Sequence, residues 1–426
     1  MGMQSDRHAV AAAAVNLMKN LMGSGIFSLP AALLAGSVLP GLVTIAVVGG
    51  LCSSSFVLIA FLCQQLRVKT YREIGLVAFG QNTAIFIDVS IFASGFFCCV
   101  SYVILVVDFL HKALDGLAIW RGAPRLLLIW VCTLAFMLPL SHVRDLSPLR
   151  YTSMLGLLVI VLVWLYVLLD CLGNWQRVSL NLRENCFKLD MGVFTTVAIS
   201  TNAFKAHYNS PKFFAELGGD LRAYVKMAAL SYTAAFLTYA TFAVAGLGLF
   251  GNQVVGNVLK NYPSEGNTAI LIAWLGMAFS IIFTYPLVFS SARDSLIGMS
   301  PALQSTARHR PLATHVLLTA GLVCLISGVA CCVEDVSLVS GLLGATVGST
   351  LCWMLPASAY VQVARSSAGP ALKFGAVPLL HGGKQSLKTR VPRISTSSGL
   401  VCYSILIFIV GMSSMVVGIS KTLGVL

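Results

Sequence analysis

Charge is what this sequence has least of. Of its 426 residues, 15 are Asp or Glu and 28 are Lys or Arg, so only 10% are charged. A soluble domain carries about 25%. The chain is 57% hydrophobic, with a mean hydropathy of +0.86. A soluble fold of this length cannot bury that much apolar surface, which leaves a polytopic membrane protein. Other absences narrow the function. There is no HExxH, GxSxG, P-loop or dinucleotide fingerprint, and His and acidic residues are few and dispersed, so nothing supports an enzyme or a cofactor. No CxxC pair occurs, and spacing alone therefore argues against a thiolate metal site. The twelve cysteines fall mostly in apolar runs, where cysteine behaves as a small hydrophobe. Cys171 and Cys186 flank one external loop and are considered as a disulfide pair. There is no Asn-x-Ser/Thr sequon and no recognisable cleavable signal; Asp6 stands where an N-myristoylation motif needs Ser or Thr.

What the chain does have is about 20-residue apolar runs, the length that crosses a bilayer. Eleven are expected, at 9–35, 40–65, 84–110, 125–141, 151–172, 191–211, 224–250, 268–292, 312–332, 336–358 and 398–420. The fourth is short and ends at Pro139. Between the second and third, Thr70–Gly80 reads as an interfacial helix with Glu73 outward. The net charge of +13 does not indicate nucleic acid, because the basic residues are scattered over short loops. They report orientation instead. With the N-terminus in the cytosol, 18 Lys and Arg fall on the cytosolic side and 8 on the other, with Lys19 and Lys205 inside spans. That bias favours N-terminus in and C-terminus out. The loop 359–397, rich in Lys, Arg, Ser and Pro, is expected to be cytosolic and mobile.

The first run is organised around NLMKNLMGSGIFSLP (16–30). Gly23-Ser24-Gly25 interrupts what should be one helix, and Gly costs a helix interior about 1 kcal/mol against Ala. At membrane depth, freed N–H and C=O groups are tolerated only where they face protein or a wet cavity. Such groups can bind a small zwitterion or a cation. Five spans later the sixth run is the most polar, with consecutive Ser200, Thr201 and Asn202 and with Pro211 disturbing its end. An inverted five-plus-five repeat (9–172 and 191–358) would bring the two breaks together at mid-membrane, with 398–420 outside it. Lys19, Lys205 and His207 are ionisable groups close to the breaks, so they are candidates for gating or pH sensing, against snorkelling or structural roles. Ser280 and Thr284 are four apart on one helix face and offer hydroxyl oxygens to a cation, or glue between helices. The small residues Gly341, Gly344, Ala345, Gly348 and Ser349 read mainly as helix packing.

Four stretches resemble the amino acid/auxin permease family, a branch of the amino acid–polyamine–cation group that shares the bacterial leucine transporter fold. They are NLMKNLMGSGIFSLPAAL, FKAHYNSPKFFAEL, TYPLVFSSARDSL and EDVSLVSGLLGATVGSTLCWMLPASAYV. The resemblance implies an all-α membrane protein of eleven helices with a 5+5 inverted repeat plus one extra helix. It implies a secondary transporter of amino acids coupled to a sodium or proton gradient, with substrate at Gly23, Ser24, Gly25, Thr201, Asn202 and Phe204. Tyr102 would close the site from the third span. Asn20 and Thr284 occupy the positions that sodium-coupled members use near the ion, with Ser280 beside them. The long hydrophilic N-terminal tail of many relatives is missing, which weakens tail-based nutrient signalling. A non-transporting amino acid sensor using the same pocket is the second reading, and an ion channel a third that lacks any repeated filter-like loop. The partners expected are the amino acid and the bilayer, in the plasma membrane or a vacuolar or lysosomal one.

Overall fold

The computed structural model describes residues 2–143, 149–368, 377–378, 384–385 and 398–422. The first span is split into α1 (Gly2–Leu21) and α2 (Leu29–Gly36), joined by a 3-10 segment, Ser24–Ser28. Then follow α3 (Val38–Leu66), the short α4 (Tyr71–Phe79) and α5 (Gln81–Gly116). The fourth span is α6 (Arg125–Cys132) and α7 (Leu138–His142) around a π turn, Thr133–Met137. Pro139 does not end this span: the helix runs on to His142, with the π turn Thr133–Met137 lying just before the proline. α8 (Leu149–Gly173) leads to an amphipathic helix the hydropathy did not suggest, α9 (Trp175–Glu184).

The sixth span is again split, into α10 (Gly192–Ala203) and α11 (Ser210–Glu216). The second half continues with α12 (Leu221–Phe250), α13 (Thr268–Met299), the short α14 (Pro301–His309) and α15 (Pro311–Cys332). The tenth span runs α16 (Val336–Leu343), two π turns (Gly344–Gly348 and Thr350–Met354) and α17 (Leu355–Ala368), and α18 (Ser398–Thr422) ends the chain's helices. Most of the loop expected to be mobile, 359–397, lies outside the described residues; within it Val377–Pro378 and Lys384–Gln385 pair as two antiparallel two-residue strands.

Among the described residues nine helices are long and apolar enough to cross a membrane, ten with the bent pair of the first span. The run expected at 191–211 is not among them, because its break leaves 12- and 7-residue pieces. Position in the bundle follows burial. The most apolar windows of α5 and of Val336–Arg365 are 67% and 72% buried, so these helices are central. Those of 155–173 and of α18 are 28% and 22% buried and turn Leu162, Leu169, Leu172, Leu406 and Ile409 outward, as lipid-facing helices do.

Local chemistry sets the ends. Thr70 accepts from the Glu73 N–H while the Glu73 carboxylate accepts from the Lys69 N–H, a reciprocal cap on α4. Glu73 is therefore half-buried at a cavity mouth, not outward. Asn267 caps α13 through the Ile270 N–H, and Asp335 caps α16 through the Ser337 N–H. Cys171 is buried, Cys186 exposed, and both are free thiols, so the pair considered for a disulfide does not form.

Candidate functional site

The chain bends by 51° between 8–21 and 24–36. Ladder bonds stop at Met22, whose N–H still reaches the Met18 carbonyl, and Gly23 turns into extended backbone (φ −101°, ψ −152°). The sixth span loses its ladder after Phe204 and resumes at Ser210 through one 3-10 turn, His207–Asn209. The two breaks touch. A Cβ built on Gly25 would lie 2.9 Å from Ala203 Cα, so only glycine lets the 3-10 segment approach the end of α10 this closely.

α12 holds the junction. The Tyr239 hydroxyl lies 2.6 Å from the Leu21 carbonyl and 3.1 Å from the Ala203 carbonyl, and donates its single proton between them. These carbonyls are the freed ends of α1 and α10. One turn pair earlier, Tyr232 donates to the Phe204 carbonyl at 3.3 Å. Part of the backbone released by the breaks is thus satisfied by two tyrosines seven residues apart on one helix face.

Beside the junction lies a cavity of about 840 Å³, within the range of small-molecule sites. Of the expected substrate residues, Gly23, Ser24, Gly25, Tyr102 and Asn202 line it. Tyr102 lies close over Gly23, where a built Cβ would be 3.5 Å from its hydroxyl. Lys19 and Lys205 line the cavity too, and the Lys205 ammonium donates to Asn202 Oδ1 at 3.1 Å. Asn20 and Thr284 stand on its wall, although Thr284 donates its hydroxyl back to the Ser280 carbonyl at 2.8 Å.

Four expected residues are elsewhere. Thr201 bonds back to the Val197 carbonyl at 2.7 Å and packs on Gly348. Phe204 is fully buried between Tyr232 and Tyr239, ring centroids 6.0 and 5.0 Å away. The Ser280 side chain is buried against Gly156 of α8. His207 is fully buried and turned to α3, with Nε2 2.9 Å from Ser55 Oγ and 3.1 Å from the Cys52 carbonyl. Thr201 faces away because α10 has one side for the cavity and another for the π turn at Gly344–Gly348. The small residues of the tenth span serve packing: a Cβ on Gly344 would fall 1.7 Å from the Ala198 carbonyl oxygen. Sequence reasoning missed Ser94 and Cys98, which line the cavity with Tyr102. Their i, i+4, i+8 spacing on α5 was the available signal.

The cavity opens toward the face that carries the N-terminal end. Its mouth is formed by Lys69, Arg72, Glu73, Asp88, Lys212, Glu216 and Asp294, with Arg72 and Asp88 paired at 2.7 Å. The opposite face is shut. A 3-10 turn, Val258–Asn261, buries Val258 and Leu259 completely, and Trp274 donates to the Leu259 carbonyl at 3.2 Å. Lys260 pairs with the buried Asp108 at 3.2 Å, Lys112 donates to the Tyr262 carbonyl at 3.1 Å, and the Tyr262 hydroxyl donates to Asp170 at 2.9 Å. Burial, then the neighbouring Asp170 carboxylate, push the Tyr262 phenol well above its usual range, so it remains a donor.

A family model described as "Transmembrane amino acid transporter protein" matches residues 6–374, which takes in both breaks and the whole cavity. The chain belongs to the transmembrane amino acid transporter family. Family relatives include vacuolar amino acid transporter 2 of Saccharomyces cerevisiae, 23% identical over 95% of this chain and 82% of that protein. Vacuolar amino acid transporter 5 of Schizosaccharomyces pombe is 24% identical over 93% and 91%, and amino acid transporter AVT1C of Arabidopsis thaliana 27% over 90% and 70%. These relatives are named as transporters, not enzymes. The fold is that of leucine-transporter-type carriers. A sodium-coupled sialic acid symporter in a substrate-bound outward-open state matches with a TM-score of 0.55 at 12% identity, over 97% of this chain and 89% of that one. A variant of the Eremococcus coleocola manganese transporter matches with 0.53 at 10%, over 97% and 86%.

Proposed function

We propose that the protein is a secondary active transporter that moves amino acids by alternating access, driven by a sodium or proton gradient. The observation that carries this reading is the contact of the two breaks, Gly25 against Ala203, on the wall of a cavity open to one face only. The first turn after Gly23 presents N–H groups and the positive end of a helix dipole, which suit a carboxylate. Lys205 adds a positive charge on the same wall. Carbonyl ends that Tyr232 and Tyr239 leave unfilled suit an ammonium group or a coupling cation, with Asn20 and Thr284 as side-chain ligands. With the N-terminus in the cytosol, as the Lys and Arg bias favours, the cavity faces the cytosol and the membrane is that of a vacuole-like compartment, as for the relatives, or the plasma membrane. The first, second, sixth and seventh spans then rock against the third, fourth, fifth and eighth and carry the site from one face to the other.

The test is uptake of a panel of labelled amino acids by proteoliposomes under imposed sodium or proton gradients. Gradient-dependent accumulation of at least one amino acid is expected. Saturable binding without flux would make the protein a sensor instead, and neither would overturn the reading. Under sodium coupling, Thr284→Ala raises the sodium concentration needed for half-maximal uptake; an unchanged sodium dependence removes Thr284 from the ion site.

A further inference from the structure

Three side chains that the transport reading leaves unused meet behind the cavity. They are Cys52 of α3, His207 in the 3-10 turn of the sixth-span break, and Cys352 in the second π turn of the tenth span. All three are 0% exposed. Their two sulfurs and one imidazole nitrogen lie within 4.8 Å of one another. No CxxC spacing announces this cluster, because its members come from positions 52, 207 and 352 and only the fold gathers them.

The imidazole shows how the group is poised. His207 Nε2 is 3.1 Å from the Cys52 carbonyl, which can only accept, so Nε2 carries the proton. Nδ1 then holds the lone pair, and it is buried with no hydrogen-bond partner. An orphaned buried acceptor costs roughly 1–3 kcal/mol, which asks for a compensating use. Two of the ligands also sit on irregular backbone, and π turns inside helices are frequent at functional sites.

We infer that Cys52, His207 and Cys352 form a site for a thiophilic d¹⁰ cation, Zn²⁺ in particular, which ties the second, sixth and tenth spans together. Two thiolates and a neutral imidazole give a complex with no net charge, the form a low-dielectric interior tolerates best. Zn–S and Zn–N bonds of about 2.3 and 2.0 Å set ligand atoms roughly 3.5–4 Å apart, so closure from 4.8 Å requires rotamer adjustments of under about 1 Å. Ser55 Oγ, 2.9 Å from His207 Nε2, accepts from the same N–H as the Cys52 carbonyl and so helps hold the tautomer that frees Nδ1. Each thiol loses its proton to solvent buffer on binding, so the affinity falls as pH falls. Because the three ligands ride on three spans, the bound ion holds the conformer in which they meet.

The test uses the full-length protein in lipid nanodiscs with Cd²⁺ as the probe, read by its ultraviolet thiolate charge-transfer band. One saturable equivalent is expected, displaced by Zn²⁺ and retained in Cys186→Ser and Cys402→Ser, which alter exposed thiols. Cys352→Ser weakens binding at least about tenfold. If Cys352→Ser is not monodisperse on size exclusion, Cys52→Ser carries the same comparison. No saturable band, or a band unchanged by loss of either thiol, overturns the site. A second arm measures uptake: Zn²⁺ slows the wild type and spares Cys352→Ser, and Zn²⁺ inhibition that is equal in both overturns the locking role. Should the chain prove not to transport, the binding arm still decides the metal site by itself.

Discussion

The two faces of this bundle are built from the same kind of helix yet treat water in opposite ways. On the face carrying the N-terminal end, charged side chains line an open mouth, and Arg72 pairs with Asp88 at its rim without closing it. On the other face a short 3-10 turn carries Val258 and Leu259 into the core and is clamped by Lys260–Asp108 and Tyr262–Asp170. The charges at the mouth are spread around water, whereas those at the closed face converge on one plug. The charged mouth and the clasped plug thus lie on opposite sides of the junction of the two breaks.

The largest effect is expected at the junction of the two breaks. Gly25→Val drives a branched side chain into Ala203, whose Cα is already 2.9 Å from a built Cβ. Overpacking of this kind costs up to about 3 kcal/mol, or roughly 100-fold in uptake. Pairing Gly25→Ala with Ala203→Gly restores part of the flux lost in Gly25→Ala alone; no restoration would show that the contact is not the cause. Next comes Tyr239→Phe, which strands the Leu21 and Ala203 carbonyls. A buried acceptor left unpaired costs about 1–3 kcal/mol, so the substrate concentration for half-maximal uptake rises roughly tenfold. The smallest effect belongs to the clasp. Lys260→Met removes the partner of Asp108, but the Lys260 side chain is 38% exposed and solvent already screens the pair. About 1 kcal/mol and roughly a fivefold shift toward conformers open on that face are expected. The readout is the alkylation rate of Val258→Cys, a position 0% exposed in the closed form.

Much of this arrangement was legible in the residues. Gly23-Ser24-Gly25 announced the first break because two glycines inside an apolar run have no other local reason. The polar run Ser200–Asn202 and Pro211 pointed to the second, but not to its depth: the ladder fails after Phe204, just beyond the polar residues. Polarity also misassigned side chains. Thr201 satisfies its hydroxyl on the preceding turn, as a helical hydroxyl can, and Ser280 is taken up by packing against Gly156. Tyr232 and Tyr239 went unnoticed because an aromatic stripe on an apolar helix reads as core until its hydroxyl partners are known. The Cys52–His207–Cys352 group was invisible for a different reason: no periodicity links three positions so far apart.

The native thiol of Cys98, half-buried on the cavity wall, offers the most direct test of the central claim that an amino acid binds where the two breaks meet. Its alkylation rate by a small thiol reagent, followed by peptide mass spectrometry in wild-type proteoliposomes, should fall about tenfold when the transported amino acid is saturating. The exposed Cys186 should react at an unchanged rate. Alkylation of Cys98 that proceeds equally fast with and without an amino acid the protein demonstrably carries would place the substrate elsewhere and contradict the account.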